Sequence, residues 1–168
     1  IADSVELSCI AHGFDGLVLI SSCDKILPGM IMGAARLDIP TIVLTGGPMN
    51  PGQFNGRDVD LASVFEAIPK VKSGEMSEED LRQLEMVACP GAGSCAGMFT
   101  ANTMGCITEA IGLGLPFAGT APATSEQRRT IAEESGSKLM GLVKENIKFS
   151  DIVTEKSIEN GFRVGLAL

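Results

Sequence analysis

Two short apolar runs, Asp15-Gly-Leu-Val-Leu-Ile-Ser-Ser22 and Pro40-Thr-Ile-Val-Leu-Thr45, are continuous rather than alternating, carry β-branched residues and are bounded by turn signals. That pattern suits strands buried on both faces. Between them, Pro28 to Leu37 has the length of a helix with proline near its first turn. The three segments predict a βαβ unit in which Val18–Ile20 and Ile42–Leu44 are neighbouring parallel strands. The first strand runs into Cys23-Asp24-Lys25 and the second into Gly46-Gly47-Pro48-Met49. Ligands of parallel sheets bind beyond the carboxyl ends of the strands, so both loops belong on one functional edge. The expected fold class is α/β, a three-layer α/β/α arrangement around a parallel sheet.

Asn50 to Gly56 reads as a polar loop and Asp58 to Ile68 as a helix. Ser77-Glu-Glu-Asp80 caps another helix with Leu81, Leu84 and Val87 at three-residue spacing. A Gly-rich loop from Cys89 leads into a helix reaching about Leu113, and Thr124-Ser-Glu-Gln127 opens one lasting to about Asn146. Thr154 is the N-cap of a last helix. The chain starts at Ile1 inside a helix and stops at Leu168 without a terminating signal, so residues 1–168 are expected to be a single-domain fragment truncated at both ends.

Composition narrows the chemistry. In 168 residues there are five cysteines, eight methionines, one histidine and no tryptophan or tyrosine. Irregularly spaced thiols point to a reducing, cytoplasmic setting rather than a disulfide framework. A net charge of −8 argues against nucleic acid and against an anionic membrane surface. The uncharged stretch Met86 to Thr108 holds Pro90, several glycines and Asn102, which a bilayer would not accept. From Met86 to Thr124 the only charge is Glu109, so this segment is expected to be buried, in this domain or against a partner.

Among the thiols, Cys23 stands at a strand end beside a carboxylate and an amine. Thiolate is a soft ligand for iron or zinc, whereas Asp24 is a hard ligand for magnesium or manganese, and strand alternation would point the two apart. Lys25 could act as a substrate cation or, if desolvated, as a neutral amine that takes up carbon dioxide as a carbamate. Cys95 precedes a helix whose unpaired N–H groups and dipole favour a thiolate. Cys89 follows a helix end and reads as packing; Cys9 and Cys106 read as core residues. His12, before Gly13, reads as a helix C-cap rather than a catalyst. Gly46-Gly47 is either an anion cradle or a tight turn. An alternative of a different class is a non-catalytic zinc domain built on Cys23, Cys89 and Cys95.

Cys23-Asp-Lys-Ile-Leu-Pro-Gly-Met30, Gly46-Gly-Pro-Met49 and Gly93-Ser-Cys-Ala-Gly-Met-Phe-Thr-Ala-Asn-Thr-Met104, in this order, resemble the dihydroxy-acid and 6-phosphogluconate dehydratase family, and its dihydroxy-acid branch most. The likeness runs over essentially the whole chain, which would be an interior piece of the family's N-terminal domain. The resemblance implies a hydro-lyase that removes water from 2,3-dihydroxy carboxylates to give 2-keto acids in branched-chain amino-acid synthesis, with sugar-acid dehydration (6-phosphogluconate or a pentonate) as the runner-up. It also implies Cys23 and Cys95 as ligands of an iron–sulfur cluster, 2Fe-2S or 4Fe-4S, and Asp24 and the carbamate of Lys25 as ligands of Mg2+. A third cluster cysteine and another acidic ligand would precede Ile1; a further glutamate ligand and a serine base would follow Leu168, leaving no catalytic base within residues 1–168. The four side chains present are expected to converge on one cleft. A homodimer is implied for the full-length enzyme.

Overall fold

The computed structural model describes all of residues 1–168. Its elements run α1 (Ala2–His12), β1 (Leu17–Ser21), α2 (Ile26–Leu37), β2 (Thr41–Thr45), β3 (Gly52–Phe54), β4 (Arg57–Val59), α3 (Leu61–Ser73), α4 (Glu78–Val87), α5 (Thr100–Ala110), α6 (Glu126–Glu145), α7 (Phe149–Ile152) and α8 (Glu155–Ala167). β1 and β2 pair in parallel from Leu17↔Thr41 to Ser21↔Thr45, as the apolar runs predict. Strand alternation then feeds two separate cores. Leu17, Leu19 and Val43 pack with Cys9 of α1, Ala34 of α2 and Phe149 of α7. Leu44 packs the other way, with Ala118, Ala121 and Ile131 of α6. Helices therefore cover both faces of the strand pair. Each such aliphatic side chain removed from water contributes roughly 1.5–3 kcal/mol.

The two strands are not equally enclosed. β2 is buried at every position, and on its far edge Val43 N donates to Leu113 O at 2.8 Å. β1 has β2 as its only partner strand, and its Ile20 is 67% exposed.

The helix signals largely hold. Gly13 ends α1 in the left-handed conformation, and His12 stacks on Phe14 with ring centroids 5.4 Å apart. Ser77, Ser125 and Thr154 cap α4, α6 and α8. Three expectations need correction. The polar stretch before Asp58 is half of a hairpin: β3 and β4 pair antiparallel around Asn55 and Gly56, both with positive φ, as a type I′ turn requires. The helix that follows starts only after Asp60, whose carboxylate caps it, and runs through Pro69 to Ser73. Phe65, whose carbonyl loses its partner to Pro69, is an exposed residue where water can replace it. α5 stops at Ala110 rather than Leu113, because Gly112 turns the chain with φ 90° and sends Leu113 to the edge of β2.

A smaller cluster, Val59, Val64, Ala67, Leu84 and Ala88, joins the hairpin to α3 and α4. Gly52 makes that junction possible: a Cβ there would lie 1.7 Å from the Val87 carbonyl oxygen. The charge-poor segment is only partly buried. Met86 and the loop from Cys89 to Gly93 are exposed, because a Gly/Pro-rich loop offers few side chains to bury. Its one charge is accounted for: the Glu109 carboxylate accepts from Phe117 N and Gly119 N at 2.9 and 3.2 Å, pinning the loop after α5. No helix is long and apolar enough to cross a membrane.

Candidate functional site

The first site loop begins where β1 ends. Cys23 is half-buried, Asp24 is left-handed with φ 53°, and Lys25 is the N-cap residue of α2. None of the three belongs to the strand, so the left-handed Asp24, rather than strand alternation, sets how the chain turns between Cys23 and Lys25. Lys25 Nζ donates to both Asp24 carboxylate oxygens at 3.1 Å. With the two side chains 82% and 68% exposed, this pair contributes little stability. The chain itself therefore does not desolvate Lys25.

The second loop is tied to the first through the sheet. Gly46 N donates to Ser21 O at 2.8 Å; one residue on, Ser94 N donates to Gly47 O and Met49 N to Ser94 O, both at 2.9 Å. Pro48 and Ser94 thus form a parallel bridge that prolongs β2. Cys95 follows Ser94, so the loops bearing Cys23 and Cys95 share one edge, as expected. The expected helix start does not hold. α5 begins at Thr100 with Phe99 as N-cap, and the dipole effect fades within the first turn. Asn102, from that first turn, organises the Cys95 loop instead: its Nδ2 donates to Cys95 O, Ala96 O and Gly97 O at 3.0, 3.0 and 2.7 Å.

Gly46-Gly47 shows a third role beside the cradle and the tight turn. Gly47 has φ 84°, and a Cβ there would lie 2.6 Å from Ala121 O and 2.8 Å from the Arg128 guanidinium. Arg128 is buried beneath this loop and donates to Thr45 O at 2.8 Å, Ala118 O at 2.9 Å and Ala121 O. Its Nε has no partner, and burial holds the guanidinium below the usual arginine range. Three carbonyls therefore stand where a carboxylate would normally sit.

The other thiols are kept apart from this edge's chemistry. Burial pushes the Cys9 thiol up; burial first, and the Glu109 carboxylate second, push Cys106 up. Both are thus poor ligands. Cys89 is exposed rather than packed, since α4 ends at Val87 and its C-cap residue Ala88 fills the core position. No three His, Cys, Asp or Glu side chains gather closely enough to hold a metal ion, which removes the zinc centre of Cys23, Cys89 and Cys95. Two of the four expected side chains, Asp24 and Lys25, share a depression at this edge. It measures about 610 Å³ and is also lined by Pro28, Met32 and Thr100 among others, but Cys23 and Cys95 are not part of its wall.

The donors on this edge fit two unlike groups. Cys23 and Cys95 are free, half-buried thiols, two soft ligands of an incomplete set. Asp24 and Lys25 are in contact as anion and cation; converting the amine to a carbamate would set two anions side by side, an arrangement that a hard divalent cation between them would stabilise. Sequence reasoning missed Asn102 and Arg128. Asn102 had a signal, a polar side chain two residues inside a helix that follows a Gly-rich loop. Arg128 had none, because what it touches lies up to 83 positions away.

Comparison with known proteins places this edge in context. The family profile "Dihydroxy-acid/6-phosphogluconate dehydratase N-terminal" matches residues 1–168. A dihydroxy-acid dehydratase of Methanococcus aeolicus is 57% identical over 168 residues, 100% of this chain and 30% of that protein. Those of Pyrococcus abyssi and Methanothermobacter thermautotrophicus are 56% and 55% identical over the same 168 residues, 30% and 31% of their own lengths. The chain thus spans about three-tenths of the curated relatives it matches. With its whole length matched and its site loops in place, the chain belongs to the dihydroxy-acid/6-phosphogluconate dehydratase family.

Proposed function

We propose that the full-length protein carrying this chain is a dihydroxy-acid dehydratase, a hydro-lyase that eliminates water from a 2,3-dihydroxy carboxylate to leave a 2-keto acid in valine and isoleucine synthesis. The observation that carries this is the bonding of Ser21 to Gly46 and of Gly47 to Ser94, which sets the Cys23-Asp24-Lys25 loop and Cys95 on one sheet edge. Relatives named dihydroxy-acid dehydratase share 55–57% of its residues. Residues 1–168 act as one part of the N-terminal domain.

In this function Cys23 and Cys95 hold an iron–sulfur cluster, and Asp24 with carbamylated Lys25 holds Mg2+. When bound, these groups supply a Lewis acid for the departing hydroxyl and a cation for the substrate carboxylate. The chain's own residues contribute position. Asn102 and the Gly47–Ser94 pairing hold Cys95 in place, the left-handed Asp24 sets its carboxylate beside Lys25, and the adjoining depression admits a small acid. None of these residues is proposed as the catalytic base, so residues 1–168 alone are expected to be inactive. The enzyme is cytoplasmic, in keeping with five free thiols. It is also a homodimer, for which Leu7, Ile10, Phe162 and Leu166 offer exposed apolar surface.

The test is turnover by the full-length protein, reconstituted with iron, sulfide and Mg2+, of 2,3-dihydroxyisovalerate against 6-phosphogluconate. Keto-acid release from the first and not the second is expected. The reverse preference would make the protein a sugar-acid dehydratase, and a cluster surviving Cys95→Ser would remove that residue from the site.

A further inference from the structure

The Cys95 loop has an unusual distribution of backbone polarity. Asn102 is 6% exposed, and its orientation is unambiguous, because the three carbonyls of Cys95, Ala96 and Gly97 can only accept and must face Nδ2. On the other side of the amide, Oδ1 accepts from Ser94 Oγ at 3.3 Å, while the same hydroxyl reaches Gly47 O at 3.3 Å. One buried side chain thus joins the loop to the extension of β2. In a trans peptide the N–H points away from the preceding carbonyl. Drawing three successive carbonyls onto Asn102 therefore turns the N–H groups of Ala96, Gly97 and Met98 to the opposite side of the loop. None of the three has a partner within the chain. They belong to the loop that carries the Cys95 thiol and are left to donate to a group bound there; N–H donors to sulfur stabilise the more negative state of a cluster.

We propose that Asn102 is a positioning residue for the Cys95 sulfur: by collecting the carbonyls of residues 95–97 it presents the N–H groups of residues 96–98 to the thiolate and to the sulfides of the cluster that Cys95 ligates. This rests on the cluster ligation proposed above. Asn102 touches neither substrate nor metal; it acts through the loop. It contributes two things, a fixed place for the thiolate and hydrogen-bond donors that ease reduction of the cluster.

Asn102→Asp is the decisive variant, since it keeps the size of the side chain and replaces the amide donor with an oxygen that repels the three carbonyls. In the full-length protein it should weaken cluster retention about tenfold or more, read as iron and sulfide per chain after dialysis against a chelator. Whatever cluster remains should have a lower midpoint potential and an altered visible circular dichroism spectrum. An unchanged potential, spectrum and iron content in a folded Asn102→Asp protein would overturn the proposal while leaving the ligation of Cys95 intact. Cys95→Ser, read in parallel, tests that ligation: a retained cluster there defeats the underlying assignment, a different result from the first. Hydrogen exchange on the wild-type protein needs no variant to fold. The amides of residues 96–98 should slow when iron and sulfide are loaded, and equal exchange in the loaded and cluster-free proteins would overturn the proposal as well.

Discussion

The two loops that leave the sheet edge are built in opposite ways. The Cys23-Asp24-Lys25 loop is closed by its own neighbours, an exposed ion pair between adjacent residues and a left-handed carboxylate. The loop bearing Cys95 is held by residues far along the chain, Gly47, Asn102 and, beneath them, Arg128. In the function proposed above, the first loop would gain from freedom, because its amine would have to become a carbamate before it could serve as a ligand. The second would carry a cluster ligand, whose place must not change. Under that proposal, local closure goes with the loop that has to change and long-range support with the loop that does not.

The difference is sharpest at the glycine pair. Gly47→Ala should destabilise the full-length protein by about 3 kcal/mol in urea titration, combining a left-handed backbone with a clash against buried groups. Gly46→Ala, whose Cβ would meet only Ser21 O at 3.8 Å, should cost less than about 1 kcal/mol. Equal losses would show that the second loop is not anchored at Gly47. Arg128→Met comes next: it removes the guanidinium donors of the Thr45 and Ala121 carbonyls and leaves Ala118 O with the Thr45 hydroxyl alone, at a cost of about 2 kcal/mol. Arg128→Lys should recover only part of this, because a single ammonium does not reproduce the planar fork.

On the first loop the effects reverse in sign or vanish. Asp24→Gly relieves a left-handed non-glycine residue and should stabilise the cluster-free protein by roughly 0.5–1 kcal/mol. Lys25→Ala should move the urea midpoint by less than about 0.5 kcal/mol. A loss as large as that of Arg128→Met at either position would erase the contrast between the loops. Thiol alkylation gives a smaller, kinetic check. At pH 8 in the cluster-free protein, exposed Cys89 should label first, and Cys9 and Cys106 last, since both ionise only above the ordinary thiol range.

The strand pair and most helix starts could be read from the sequence because local patterns determine them: uninterrupted apolar runs, and Ser or Thr ahead of an acidic turn. Asn55-Gly56 was an equally local signal, but three-residue strands carry too few apolar positions to show alternation, and the hairpin read as loop. Cys23, Asp24, Lys25 and Cys95 stood out by residue type. How Cys95 is held did not, because the helix dipole invoked for it is a local device, whereas the actual support from Asn102 depends on tertiary placement. Arg128 lay wholly outside local pattern: a basic residue in the first turn of an amphipathic helix looks solvated until the carbonyls it meets are known.

Those carbonyls also bear on the order in which the molecule assembles. β1, α2 and β2 are close in sequence, so closing that unit costs little chain entropy. The end of β2, by contrast, is completed by a side chain 83 residues away, and Gly47 lacks the guanidinium it packs against until α6 has docked. A strand pair closed first would therefore stand without the platform that carries Ser94 and Cys95. The sheet is a product of short-range closure, whereas the seat of Cys95 depends on contacts of long sequence separation, which are the slow ones to form.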